Sequence, residues 1–193
     1  MNENTQDFLE EIKNNKLKLM SNVYRHSTLD VIKKETIAEH SLEVCLYSYI
    51  IAKKCKLNNN LCYKIGMMGA IHDLEESHTN DTPSVIKKAV PEVKEGLKKA
   101  GKYTINKYYS EFSQLFFELE ESETKEELEG TIVKIAYISS FIFKMDRELT
   151  LGNRSIEIIK AKEKSERDLE KRLKRLKQLL FDYFTTFDNK GEK

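Results

Sequence analysis

Apolar residues recur along this chain at helical spacing, not at the alternation of a strand. In TQDFLEEIKNNKLKLM, Phe8, Leu9, Ile12 and Leu19 share one side, predicting an amphipathic first helix that ends near Asn22. The stretch NVYRHSTLDVIKKE lacks that period and predicts irregular chain. Thr36 and Glu39 then have the form of a capping box, in which hydroxyl and carboxylate satisfy exposed amides, so a second helix is expected from Ile37 to about Cys55. Its LEVCLYSYIIA portion is apolar nearly all round, broken only by Glu43 and Ser48, which marks a central helix. A third helix, LCYKIGMMGAIHDLEES, is apolar up to His72, and Gly66 and Gly69 would let a neighbour approach closely.

Further on, Thr82-Pro83 has the form of an N-cap followed by proline at the first helical position, opening a short helix through Ala89. From Pro91 to about Glu121 the pattern is helical with interruptions at Gly96 and Gly101; Tyr108, Phe112, Leu115, Phe116 and Leu119 form its apolar face. Thr124 and Glu127 make a second capping box, opening a helix that runs to Leu149 and stops at Gly152-Asn153. The last segment, Ser155 to about Phe184, is highly charged. Its Leu169, Leu173, Leu176, Leu180 and Tyr183 form a narrow seam that covers the core or a second subunit.

Seven glycines and two prolines in 193 residues are too few for the turns of a sheet fold, so an all-α fold is expected, as one domain over residues 1–193. With 33 Lys+Arg against 32 Asp+Glu the net charge is +1, which removes any global reason to expect a nucleic-acid polymer or a membrane as partner. The chain lacks an apolar run near the roughly 18 residues of a membrane span, and its N-terminus lacks the pattern of a signal peptide. Three cysteines, Cys45, Cys55 and Cys62, form no CxxC pair and fit a reduced, cytoplasmic setting.

Four histidines carry the candidate chemistry: His26, His40, His72 and His78. His40 opens a nearly apolar helix, and His72-Asp73 closes the apolar run MMGAI. A buried histidine alone is ordinarily a hydrogen-bonded core residue. Two from different helices, joined by the Asp73 carboxylate, supply a mixed nitrogen and oxygen set suited to a divalent transition metal. Glu75, Glu76 and Asp81 crowd behind them, with Glu75 fitting a solvated helix end. The plain structural readings serve elsewhere: His78 as a solvent-facing loop residue, Cys45 and Cys62 as inert thiols, KEKSERDLEKRLKRLKQ as a solvated face, and Tyr108, Tyr109, Phe112, Phe116 and Phe117 as core.

Taken in order, Arg25, EHSLEV at 39–44, HDLEE at 72–76, NDTPSVIKK at 80–88 and VKIAYISSFIFKMDRELTLGN at 133–153 resemble the HD-domain metal phosphohydrolases. The similarity is closest to the bacterial 5′-deoxynucleotidase (YfbR-like) branch and spans roughly residues 17–155. It implies a bundle of about six to eight helices around a central metal site, hydrolysis of nucleoside 5′-monophosphates, and a homodimer. It implies His40, His72 and Asp73 as ligands of a divalent ion (Mn, Co, Fe, Ni, Zn or Mg). Glu76 matches the carboxylate that positions or deprotonates the attacking water, and Asp81 an acid near the leaving group and sugar. Arg25 and Lys87 match cations that contact the substrate.

Two positions depart from the family pattern. Lys134-Ile135-Ala136-Tyr137 stands where the family has its last metal-binding aspartate, in a K-x-A-D context. A phenol with an ordinary pKa near 10 is a costly ligand, so Tyr137 is expected to fill the position with its ring. Asp146 lies about two and a half helical turns further on and cannot take its place. His26 stands where the family has a tryptophan that shapes the sugar and base pocket. The expected function is therefore a metal-dependent phosphohydrolase of small nucleotides. One alternative is a catalytically silent protein of the same fold that binds a nucleotide or a partner, which Tyr137 favours; a second is phosphodiester or nucleoside triphosphate hydrolysis.

Overall fold

A computed structural model describes Gln6, Glu10 and residues 16–188. Phe8, Leu9 and Ile12 of the expected first helix lie outside the described residues; Lys16–Asn22 forms a 3-10 helix, with Met20 buried. Eight α-helices follow: α1 (Ile37–Lys54), α2 (Asn59–Ile71), α3 (Glu76–Thr79), α4 (Ser84–Ala89), α5 (Pro91–Tyr108), α6 (Ser113–Thr124), α7 (Leu128–Thr150) and α8 (Ile156–Asp188). The described residues contain no strand beyond one antiparallel bridge, Tyr24 to Thr36. No helix among them is long and apolar enough to cross a membrane.

The three helices expected at the centre are there. The capping box of α1 forms, with the Glu39 amide donating to Thr36 Oγ1 at 3.2 Å and the Thr36 amide to the Glu39 carboxylate at 2.8 Å. A side chain at Gly69 would place its Cβ 2.8 Å from both Val44 O and Ser48 Oγ, so glycine is what lets α2 lie directly on α1. Ile132, Val133, Ile135 and Ala136 of α7 bury themselves against Val44, Ile65 and Met68. A second cluster joins Ile37, Ile71 and Leu74 to Ile105, Tyr109 and Phe116, confirming the aromatic run as core.

Several boundaries differ from expectation. The third helix stops at Ile71 instead of running through Ser77. Leu74 is fully buried and draws the chain inward through tight turns, with the Leu74 amide on Ile71 O and the Glu76 amide on Asp73 O, both at 3.1 Å. Pro83, not Thr82, is the N-cap of α4; its carbonyl accepts from the Ile86 and Lys87 amides. Helix α5 runs unbroken through Gly96 and Gly101, and the break falls at Tyr109, whose ring is buried. Thr124 ends α6, donating to Glu120 O at 2.7 Å, so the second capping box does not form. Gly130 instead lets α7 start against Ser122–Glu123, where a Cβ would stand 2.5 Å from Glu123 N.

Gly152, at φ +96°, ends α7 as expected. On α8, Leu176 is buried and Leu169, Leu180 and Tyr183 pack on the core, while Leu173 stays 42% exposed. Most of the seam thus covers the chain's own core. His78 is no solvent-facing loop residue: it is half-buried, stacks on Tyr108 at 4.4 Å and meets Ser77 Oγ at 2.9 Å. Cys62 is buried, whereas Cys45 is only partly so.

Candidate metal centre

His40 projects from the first turns of α1, His72 caps the end of α2, and Asp73 follows in the turn that Leu74 anchors. One ligand atom from each of these three residues lies within 4.8 Å of the others. His72 Nε2 is 3.1 Å from Asp73 Oδ2, and His40 Nε2 is 3.9 Å from the same oxygen.

Hydrogen bonds on the far side of each ring decide which nitrogen faces inward. His72 Nδ1 meets the Gly69 carbonyl at 2.8 Å, and a carbonyl only accepts, so Nδ1 carries the proton. Ser140 Oγ donates to Glu43 at 2.7 Å, and its lone pair is left to accept from His40 Nδ1 at 3.2 Å. Both rings therefore turn Nε2 toward Asp73, and both Nε2 atoms are buried without a hydrogen-bond partner. Burial, with Arg25 and His72 nearby, pulls His40 down to about 2, so it stays neutral. Two inward-facing imidazole nitrogens beside a carboxylate are a donor set that fits a divalent cation, and His40, His72 and Asp73 could hold one.

Tyr137 of α7 supplies a ring at this point, edge-on to His40 at 5.3 Å and to His72 at 5.8 Å. The Lys134 ammonium lies 4.5 Å and the Arg25 guanidinium 5.5 Å from its centroid. Asp146 is remote from the trio, half-exposed and paired with Lys162 at 3.1 Å.

Around the trio lies a cavity of about 1020 Å³ that Arg25, His26, Glu76, Asp81, Lys87 and Tyr137 help to line, so every site residue named from the sequence reaches it except His40, which is buried behind. Arg25 is buried and paired with Asp73; burial opposes its charge, but Asp73 and the other acids raise its pKa further. His26 sits in the left-handed region at φ 63°, its amide donating to Asp81 Oδ2 at 2.9 Å and its ring edge-on to Phe141 at 5.2 Å. Lys87 reaches Glu76 Oε1 at 3.5 Å. Burial, Asp73 and Asp81 push Glu76 up to about 9. Asp73 itself is held well below the usual carboxylate range: burial resists ionisation, but His72 and Arg25 outweigh it.

Glu75 is not a solvated helix end. Its Cγ comes within 3.1 Å of where a Cβ on Gly101 would stand, one of its oxygens is buried without a partner, and burial beside Asp73 pushes it up to about 8. Sequence reasoning also missed Glu35, a buried carboxylate 3.4 Å from His26 Nε2 and 3.8 Å from Arg25 Nε. Nothing local marks Glu35, because its partners come from across a loop and from α1. The role of Ser140 was equally hidden, being defined by a ring 100 positions away and a carboxylate 97 away.

The chain matches the HD domain family over residues 16–179. A 5′-deoxynucleotidase of Pectobacterium atrosepticum is 30% identical over 179 residues, which cover 89% of this chain and 85% of that one. A 5′-deoxynucleotidase of Vibrio atlanticus is 29% identical over 174 residues, covering 86% and 87%. Among solved structures, a protein of Pyrococcus horikoshii superposes with a TM-score of 0.65 at 25% identity, over 89% of this chain and 97% of that one. A cyanophage S-2L HD phosphohydrolase, solved with dA and one catalytic Zn2+ ion, shares the fold at a TM-score of 0.65 and 16% identity, over 91% and 95%.

Proposed function

This chain belongs to the HD domain family, in its 5′-deoxynucleotidase branch, and from that premise we propose that it is a metal-dependent phosphohydrolase of nucleoside 5′-monophosphates. The observation that carries the reading is the pair of buried, partnerless Nε2 atoms turned toward Asp73. His40, His72 and Asp73 hold the divalent ion. When bound, such an ion lowers the pKa of water and draws charge from a phosphate.

The remaining steps belong to side chains. Arg25 offers a two-pronged guanidinium to the phosphate oxygens and gives up its contact with Asp73 to do so. Glu76 accepts the proton of the attacking water; at about 9 it is ionised at neutral pH only with positive charge added beside it, toward which Lys87 already contributes. Asp81 serves the departing 5′-oxygen and fixes the backbone of His26, whose ring replaces a larger aromatic wall beside the sugar.

The second reading, a silent binding protein, is favoured by the Tyr137 ring packed on both histidines. Chromatographic identification of the products formed from a panel of deoxynucleoside and ribonucleoside monophosphates, triphosphates and phosphodiesters, with Mn2+, Co2+ or Zn2+, separates the readings. Turnover of monophosphates supports the proposal; nucleotide binding without turnover favours the silent protein; preference for another class favours the wider superfamily chemistry. A homodimer would form through Leu42, Leu46 and Ile50, one exposed stripe of α1, with Tyr63 and Met67 beside it. Three free cysteines and a nucleotide substrate fit the cytoplasm.

A further inference from the structure

Arg25 and His26 stand on a loop, residues 25–35, that apolar burial does not fix. Its base is closed by the Arg25 amide on Glu35 O and the Ile37 amide on Val23 O, each 2.9 Å. Its far end is largely exposed, Ile32 by 57%, and His26 holds a left-handed conformation that a non-glycine residue keeps only when its surroundings impose it.

Asp81 holds the His26 amide at the base, and a polar grip from the end of α7 holds the far end. Glu148, with no exposed surface, accepts the Ile32 amide at 2.6 Å, the Lys33 amide at 3.0 Å, Lys144 Nζ at 3.1 Å and Asn153 Nδ2 at 3.1 Å. Asn153 also donates to Asp30 O at 2.7 Å, and the Lys144 ammonium donates to Lys33 O. Backbone groups of three loop residues are thus satisfied by three side chains. These lie within the RELTLGN stretch and one turn before it, which the chemistry of the site leaves unused. The same helix carries Tyr137 and Ser140 against the histidines and Phe141 against His26.

We infer that Glu148, together with Lys144 and Asn153, positions Arg25 and His26 for the substrate by tying their loop to the helix that walls the metal trio. Glu148 touches neither substrate nor ion; it lies eleven residues, or about 16 Å along an α-helix, beyond Tyr137. It stays ionised because, although burial resists the charge, the Lys33 and Ile32 amides, Asn153 and Lys144 hold it down to about 2.

The inference rests on the phosphohydrolase reading for what Arg25 and His26 do, and its test keeps the two apart. Full-length Glu148→Gln and Asn153→Ala proteins are compared with wild type in amide exchange of residues 25–35, metal affinity by calorimetry, and KM and kcat for a deoxynucleoside monophosphate. Glutamine keeps the volume but removes the charge opposite Lys144 and turns an N–H toward other donors. Exchange at the Arg25, Ile32 and Lys33 amides is expected to rise about tenfold or more, and KM by about tenfold, the scale of a misplaced clamp. Metal affinity stays within about twofold, since the ligands stand on other elements. Asn153→Ala shifts the same quantities in the same direction by less. Unchanged exchange and KM in both variants, with only a lower melting temperature, overturn the inference, as does metal affinity that falls as far as KM rises. Should wild type neither bind nor hydrolyse any nucleotide, the functional reading fails, and exchange at these amides alone decides whether the grip holds the loop.

Discussion

Replacing Tyr137 by aspartate should weaken the empty protein and strengthen its grip on metal. The ring makes two edge-on contacts with His40 and His72 and lies beside the Lys134 and Arg25 cations. Aromatic pairs are worth about 0.5–1.5 kcal/mol each, and the residue is only half-buried, so the loss is about 2 kcal/mol, enlarged by repulsion between the new carboxylate and Asp73. In return the trio gains an anionic ligand. Two unit charges 4 Å apart attract by about 4 kcal/mol at an effective dielectric near 20. Desolvation and the Asp73 repulsion take back roughly half, leaving about 2 kcal/mol, or about thirtyfold in affinity. Calorimetric titration of chelator-treated Tyr137→Asp with Zn2+ or Mn2+, beside melting curves with and without the ion, reads both effects. Metal affinity equal to wild type would refute the placement of Tyr137 at a ligand position.

Glu76→Gln should lower kcat by about 10²–10⁴, the usual worth of a positioned base, while metal content is unchanged; an active variant would remove Glu76 from the mechanism. The same variant isolates a pH effect in the metal-free protein. Glu76 is raised when folded, from an ordinary 4.5 to about 9, so its stabilising contribution is complete below about 4.5 and is lost as pH rises toward 9. Wild type should therefore lose stability relative to Glu76→Gln by up to about 1.4 kcal/mol per pH unit across that window, and less with metal bound. Parallel pH profiles would contradict the assignment. Gly69→Ala must push α2 off α1, since its Cβ would meet Val44 O and Ser48 Oγ at 2.8 Å. A cost of about 1–3 kcal/mol, roughly 3–10 °C, is expected in thermal melts, and an unchanged melting temperature would show that the helices have room to part.

Where a feature depends on neighbours in sequence, it was legible. The Thr36–Glu39 box, the apolar α1, α2 and α7, and the stop at Gly152 each follow from residues within a turn of one another. The trio was legible as well, because polar residues stand out in apolar helices. What escaped depends on distant partners. DLEES has ordinary helix formers, yet burial of Leu74 bends the chain after Ile71 and thereby aims His72 and Asp73. Thr124 and Glu127 had capping spacing, but Gly130 fits so closely against Ser122–Glu123 that α6 ends where the box would open. The orientation of His40, set by Ser140 and Glu43, and the grip of Glu148 on residues 30–33 join segments about 100 positions apart, beyond any local pattern.

The central claim is that His40, His72 and Asp73 hold a divalent ion on which phosphate release depends. Its most direct test is phosphate release from a deoxynucleoside 5′-monophosphate by protein stripped with chelator, then titrated with Mn2+, Co2+ or Zn2+, beside Asp73→Asn treated alike. Stripped protein is expected to release no phosphate and to recover with saturation at one ion per chain, whereas Asp73→Asn shows no recovery under the same conditions. Turnover by the stripped protein, or undiminished recovery in Asp73→Asn, would contradict that claim.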